Sequence, residues 1–579
     1  MNQSLDRGGS MLRRTIGILV FVAGVVILLG IAHGFSNLGD FAPLLPPLVA
    51  IALAFITHEV LISLFVGIFL GSLMTYSVEG FVHFFQVLGK GFYKSVDTYI
   101  LTGAADSDHV SIIMFTMFIG AVVALISASG GLHGIVFKLA RYAKSSVLAQ
   151  FYTWLMGLLI FFDDYANALI VGNTMRPITD KYRISREKLS FIVDATAAPV
   201  SSLVIVSTWI GYEIGLIQDT FKAQNVDLDP YMTFIYSVPY RFYVILMLLF
   251  IPIVIFSKRD MFSLFDAEKR ARDTGECLKS GTTPIAGEEL QDMDLEGTIK
   301  PRALNAVIPI CILVFGVLLG LWWTGRSAIL EGGGEMALAG ASLRDILGSS
   351  NSYQALIWAS FTASVVAIIM VVAQRIMSLK DAMQISINGM KSMLMAVVIL
   401  CLAWGLGGVL RDIKTADCVA QLVSDSVSVQ VLPLIIFLVS SVIAFATGSS
   451  WGSMAILFPI SVPPVLQLSA GLPPDQASAV LYASIGSILS GTVFGDHCSP
   501  ISDTTIMSSI ASSIDHMDHV GTQLPYALLV GVVACAMGYL PAGFAFSPWL
   551  GILLGLLLLT GIVFVWGKKV PNMTEKSIE

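Results

Sequence analysis

Two carboxylates, an imidazole, several hydroxyls and a proline fall within one short string of this chain. It reads Thr492-Val493-Phe494-Gly495-Asp496-His497-Cys498-Ser499-Pro500-Ile501-Ser502-Asp503-Thr504-Thr505. A mainly apolar run leads into the string and another leaves it, so these groups sit where a membrane helix should be greasy. An ionisable side chain at that depth costs about 3 kcal/mol or more, which marks a functional position. Pro500 lacks a backbone donor and disfavours helix at Ser499, so an interrupted helix is expected. Interrupted backbone inside a bilayer survives only against protein or a water-filled cavity, and transporters build ion sites in this way.

The chemistry such a string can do is cation binding. A hard cation such as Na+ asks for about six oxygen ligands, some of them anionic. Asp496 and Asp503 flank the break and are the candidate Na+ ligands, with Ser499, Ser502 and Thr504 beside them and freed carbonyls to complete the shell. The competing role for the hydroxyls is to cap the two half-helices. His497 is either a proton carrier or the hydrogen-bond partner of a carbonyl.

Three further clusters share this character. Asp163, Asp164 and Asn167 interrupt the apolar run 147–178. Two adjacent carboxylates do not both ionise cheaply in a low dielectric, so one should hold a proton while the other caps a helix. Asp194 precedes Ala198-Pro199-Val200-Ser201-Ser202, where Pro199 predicts a second helix break, and it either ligands the ion or pairs with a cation. Thr447, Ser449 and Ser450 stand between and beside Gly448 and Gly452 in the run 431–467, where glycine lets backbone approach a ligand closely. Glu213 falls near an outer end and reads as structural.

The elements that must hold these groups are membrane helices. Hydrophobic residues make up 55% of the chain and charged residues 13%, with a mean hydropathy of +0.81. That excludes a soluble globular protein and indicates an all-α polytopic membrane protein. The six cysteines are scattered, which excludes a disulfide framework or a zinc site. No cofactor is expected. The run from Thr15 to Ala32, after Arg7, Arg13 and Arg14, reads as a retained first helix rather than a signal peptide.

Apolar runs near 15–33, 42–57, 58–77, 110–129, 189–217, 234–257, 304–324, 353–374, 392–410, 476–513, 523–541 and 546–567 give about twelve crossings. The runs 147–178 and 431–467, each interrupted by a polar cluster, read as re-entrant hairpins. With both hairpins returning to their own side, 25 of the 33 Lys and Arg fall inside and 8 outside, as the positive-inside rule requires. The chain then divides into a membrane half over 1–257, a flexible cytoplasmic linker over 258–303, a second membrane half over 304–567 and a cytoplasmic tail over 568–579. The outer loop 325–352 is expected to be mobile, and 80–98 to be an interfacial helix.

The halves repeat. A shift of 286 lays Asp163 on Ser449, Tyr165 on Trp451 and Pro177 on Pro463, and a shift of 301 lays Pro199 on Pro500. The first hairpin enters from inside and the second from outside, so the repeat is inverted, and the four polar clusters should converge.

Three strings carry a resemblance. FFDDYANALIVGNTMRPITDKYRISREKLSFIVDATAAPVSSLVIVSTWIGYE, TGSSWGSMAILFPI, and FGDHCSPISDTTIMSS followed by DHVGTQLPYAL resemble the NhaC-type Na+/H+ antiporters, within the broader ion transporter superfamily. The match runs over roughly residues 40 to 540. It implies a secondary transporter of inverted repeats, each with a hairpin and an interrupted helix, and elevator-style motion of a transport domain against a scaffold. Members similar to that family exchange malate for lactate or export tetracycline, so the resemblance fixes the machine more firmly than the cargo.

Two enzymatic readings fail. Gly448-Ser449-Ser450-Trp451-Gly452 has the G-x-S-x-G pattern, but a nucleophile elbow needs a strand-to-helix turn in a soluble sheet. Gly495-Asp496 lacks the earlier glycine of intramembrane aspartyl proteases, Val493 standing there. The expectation is a Na+/H+ antiporter of the bacterial inner membrane, with both termini cytoplasmic and the two ions competing for buried carboxylates. The alternative is an antiporter of the same build for a small organic solute. Expected partners are Na+, H+ and membrane lipid, with a homodimer as the assembly to test and no nucleic acid.

Overall fold

The computed structural model describes residues 41–76, 81–282, 301–424 and 427–571. They are almost entirely helical; the exception is a two-residue strand pair, Arg259–Asp260 against Lys568–Lys569. Among the described residues nine helices are long and apolar enough to cross a membrane, or ten if the bent pair Pro230–Tyr240 and Phe242–Ser257 forms one span. The expected twelve are not all found. The run 15–33 lies outside the described residues, and 42–57 and 58–77 fold as the short helices Leu45–Thr57 and Val60–Met74. His58 takes the left-handed conformation between them. The run 189–217 is broken three ways, into Arg186–Asp194, Ala198–Leu203 and Ile210–Ala223.

Both interrupted apolar runs form helical hairpins. The first pairs Ser146–Leu159 with Asp164–Lys181, and the second pairs Leu432–Thr447 with Ser450–Ser469. Each returning arm starts at a side-chain cap: Asp163 accepts from the Ala166 amide, Ser449 from that of Gly452. An N-cap oxygen satisfies an otherwise orphaned amide, so a polar residue here starts a helix inside an apolar run. The two caps are related by the same 286-residue shift that superposes Pro177 and Pro463, both inside their helices. Both ends of the first hairpin reach one residue on one side of the molecule. Arg272 donates to the Ser146 hydroxyl and, at 3.0 Å, to the Tyr182 carbonyl.

Two segments expected to be flexible are helical over part of their length, and residues 283–300 of the expected linker lie outside the described residues. Residues 258–282 carry the helix Phe262–Thr274, with Leu264, Ala267, Glu268, Ala271 and Arg272 buried. The polar composition of this strap misleads because its charges are used inward. Lys188 pairs with Asp260, Arg270 with Glu187 at 2.9 Å and Arg272 with Glu268 at 3.7 Å. The outer loop is largely absorbed into Leu304–Gly340, which kinks at Gly334, followed by Leu343–Gly348. Residues 81–93 are helical as expected and continue as a π-helix to Leu101.

Candidate functional site

The two hairpin tips meet the two helix breaks. The second break lies between Pro474–Cys498 and Asp503–Ser512, where Ser499 is extended and Ser502 caps the second half-helix by accepting from the Thr505 amide. Asp496 sits in the last turn of the first half-helix, 2% exposed. Its Oδ2 accepts from the Ser450 hydroxyl of the second tip at 2.8 Å, while its Oδ1 has no partner among the described residues. Gly448 makes this tip possible. Its φ is +63°, and a Cβ there would lie 2.7–2.9 Å from Ile501, beside Pro500.

The first tip reaches the same break from the other half. The Tyr165 hydroxyl donates to Asp503, which begins the second half-helix and is exposed. Asp163 and Asp164 are buried at this tip. Asp164 lies within electrostatic range of Asp163 and Asp503, and Asp503 within range of Asp496. Four carboxylates, two from the first tip and two from the second break, therefore lie close enough to interact, and the second tip adds the Ser450 hydroxyl. Repulsion among buried like charges is relieved by a bound cation or by protons, and those are the ligands this arrangement suits.

Asp194 is placed differently from the other carboxylates. It ends Arg186–Asp194 at the first break and is surrounded by donors. These are Gln523 Nε2 at 2.6 Å, Ser508 Oγ at 3.2 Å and His519 Nε2 at 3.3 Å, with His497 Nε2 at 3.9 Å. His497 shares a hydrogen bond with the Tyr243 hydroxyl through Nδ1 at 2.7 Å. The imidazole therefore joins the Asp194 cluster, one residue from Asp496.

The other expected site residues divide by their bonds. Asn167 Nδ2 faces the carbonyls of Gly157 at 2.7 Å, Ile160 at 3.1 Å and Thr196 at 2.8 Å, tying the first tip to the first break. Thr447 Oγ1 bonds back to Ile443 and meets Ser453 Oγ at 3.0 Å. Ser499 Oγ donates to the Phe445 carbonyl at 2.7 Å. Ser449 and Ser502 act as caps, and Thr504 Oγ1 lies 3.0 Å from Ser502 Oγ. Pro199 sits in the first turn of Ala198–Leu203 and Pro500 in the linker between half-helices. The carboxylates, Ser450 and Tyr165 thus form the polar centre, and most of the hydroxyls hold the backbone around it.

Several groups around the site carry little signal in the sequence. His519 and Gln523 stand one turn apart on His516–Ala534, and no proline or repeat points to them. Their spacing of four on a largely apolar helix is the only signal. Glu213 and Arg241 form a fully buried ion pair at 3.3 Å, with Arg241 also donating to the Ser202 carbonyl. Arg241, which the charge count places in an outer loop, is fully buried against protein. Trp451 of the second tip packs on Trp209 and Tyr212 with ring centroids 5.5 and 4.4 Å apart, a contact between the halves that no spacing announces.

The Na+/H+ antiporter family model matches residues 200–544, which contain both the second hairpin and the second break. The chain belongs to the Na+/H+ antiporter family. It is a multi-pass membrane protein and a secondary transporter of antiporter type; the family is one of transporters, not enzymes. An uncharacterized protein of Haemophilus influenzae is 30% identical over 535 residues, 91% of this chain and 95% of that one. A malate-2H+/Na+-lactate antiporter of Bacillus subtilis is 27% identical over 170 residues, 29% of this chain and 34% of that one. Among solved structures, MtrF of Neisseria gonorrhoeae, described as illuminating a class of antimetabolite efflux pumps, shares the fold. Its TM-score is 0.50 at 15% identity, covering 83% of this chain and 87% of that one.

Proposed function

We propose that this antiporter exchanges Na+ for H+ across the bacterial inner membrane, with Na+ and protons competing for the carboxylates at the first hairpin tip and the second break. The observation that carries the reading is the convergence of both hairpin tips on the second break, Ser450 on Asp496 and Tyr165 on Asp503, with one Asp496 oxygen unpartnered among the described residues. A site of several carboxylates needs compensating positive charge at every stage of a cycle. Na+ supplies it in one state and protons in the other, so protonation expels Na+ and Na+ binding expels protons.

In this proposal the two hairpins are re-entrant, about twelve helices cross, and both termini and the strap face the cytoplasm. Arg272, which holds both ends of the first hairpin, supports that hairpin's return to its own side. Hairpins and broken helices move together as the transport body of an elevator, against a scaffold that includes Leu304–Gly340 and Ser352–Ala373. Proton flux in proteoliposomes tests the exchange, with Na+, Li+, K+ and candidate organic acids supplied in turn. Na+-dependent proton movement supports it, and none with any alkali cation refutes it.

A second reading, exchange of a small organic solute against Na+ or H+, is favoured by the similarity to the malate-2H+/Na+-lactate antiporter. The buried Arg241, with Nε and Nη2 unpartnered among the described residues, is a feature that an organic anion could use. The organic-acid arm of the same assay separates the two.

A further inference from the structure

Gln523 and His519 reach the site from a third helix, His516–Ala534, that belongs to neither break. The Gln523 side chain is 1% exposed. Its Nε2 lies 2.6 Å from Asp194 Oδ2 and 2.6 Å from the carbonyl oxygen of His497. An amide nitrogen carries two hydrogens, so this one side chain serves both acceptors at once. His519 Nε2 supports the same Asp194 oxygen at 3.3 Å, and Ser508 Oγ the other at 3.2 Å.

The two acceptors belong to the interrupted ends of two different helices. Asp194 is the last residue of Arg186–Asp194, and His497 is the last but one of Pro474–Cys498. Both ends are helix C-termini, which carry partial negative charge, and Asp194 adds a carboxylate. Brought together in the membrane, they repel one another unless a donor stands between them. Gln523 stands there, and being neutral it leaves the charge of Asp194 in place. Asp194 also has its oxygens occupied by protein donors, whereas Asp496, the residue before His497, has one oxygen without a partner among the described residues.

We infer that Gln523, supported by His519, is a positioning residue of the cation site: it locks the interrupted ends of the two broken helices together and so fixes where Asp496 presents its unpartnered carboxylate oxygen. Asp194 is then the anchor of that lock rather than a cation ligand. This rests on the reading of Asp496 as a cation ligand.

The test compares Na+-dependent proton flux for the full chain in proteoliposomes. The proteins are wild type, Gln523→Met, Gln523→Asn, Asp194→Asn and the double variant Asp194→Asn with Gln523→Met. Methionine matches glutamine in length without the two donors; asparagine keeps the donors on a shorter arm. In Gln523→Met, half-maximal flux should need about tenfold more Na+, with the maximal rate within about twofold of wild type. That split is the mark of lost binding geometry rather than lost turnover. Gln523→Asn should fall between the two. Residues that share a contact are non-additive, so in the Asp194→Asn background Gln523→Met should add no more than about threefold. Half-saturation at the wild-type Na+ concentration overturns the inference. So does a loss of maximal rate alone, full additivity in the double variant, or failure of both Gln523 variants to fold. Failure of the functional reading is distinguishable, because wild type itself then gives no Na+-dependent flux, and the inference falls with it.

Discussion

Asp496 carries more of the proposed mechanism than any other side chain. It is buried and held at one oxygen by Ser450, and its other oxygen has no partner among the described residues. Asp496→Asn keeps size and hydrogen-bonding capacity but removes the charge and the exchangeable proton. Na+-dependent proton flux should fall below about a tenth of wild type, a loss of at least about 1.4 kcal/mol in the limiting step. The protein should still fold, because a neutral amide is cheaper to bury than a carboxylate. Asp496→Glu should retain part of the flux at altered Na+ affinity. Flux above about half of wild type in a well-inserted Asp496→Asn variant removes Asp496 from the site. This residue is legible in the sequence because a carboxylate beside a proline in an apolar run is too costly to bury for packing alone. Gln523 is not, since a neutral amide on a helix face looks the same whether it faces lipid, protein or a helix end.

At the scale of elements, the second hairpin depends on a glycine. The left-handed backbone of Gly448 costs an L-residue about 1 kcal/mol, and a methyl there would meet the Ile501 carbonyl oxygen at 2.8 Å. Gly448→Ala should therefore push the tip away from the break, lowering transport more than thermal stability, as flux and an unfolding midpoint in detergent would measure. Equal transport in Gly448→Ala contradicts that placement of the tip. The strap gives a pH-dependent expectation. Burial raises the Glu268 carboxyl above its ordinary value of 4.5, the charge of Asp260 adds to the rise, and Arg272 and Lys188 oppose it. A raised carboxyl pKa makes the contribution to stability full below the unfolded value and smaller as pH rises through the folded value. Relative to Glu268→Gln, which cannot ionise, the wild-type strap should lose hydrogen-exchange protection over 262–274 as pH rises from about 4.5. A wild type that gains protection over that range contradicts the shift. The hairpins are readable because a proline and a polar tip repeat at a fixed shift. The strap is not, because charged residues that pair inward have the same composition as a solvated linker.

At the scale of the molecule, the proposed topology has the strap inside and the region around residue 340 outside. The motive is the distribution of basic residues, 25 of 33 on one side. Single cysteines at Gly340 and Ser280, in a chain freed of its own cysteines, should separate with a membrane-impermeant thiol reagent. Gly340→Cys should label in intact cells and Ser280→Cys only after lysis; the reverse pattern overturns the topology. Hydropathy alone does not decide the number of crossings, because it does not distinguish a spanning helix from short helices such as Leu45–Thr57 and Val60–Met74 with a turn at His58 between them.

Coupled exchange at the buried carboxylates is tested most directly by proton movement through the purified full chain in proteoliposomes, reported by an internal pH dye as external Na+ is stepped. Proton flux should start with Na+, saturate, disappear in Asp496→Asn, and not be produced by malate, lactate or other organic acids in the absence of Na+. Proton flux that ignores Na+ and every other alkali cation but follows an organic acid would contradict it.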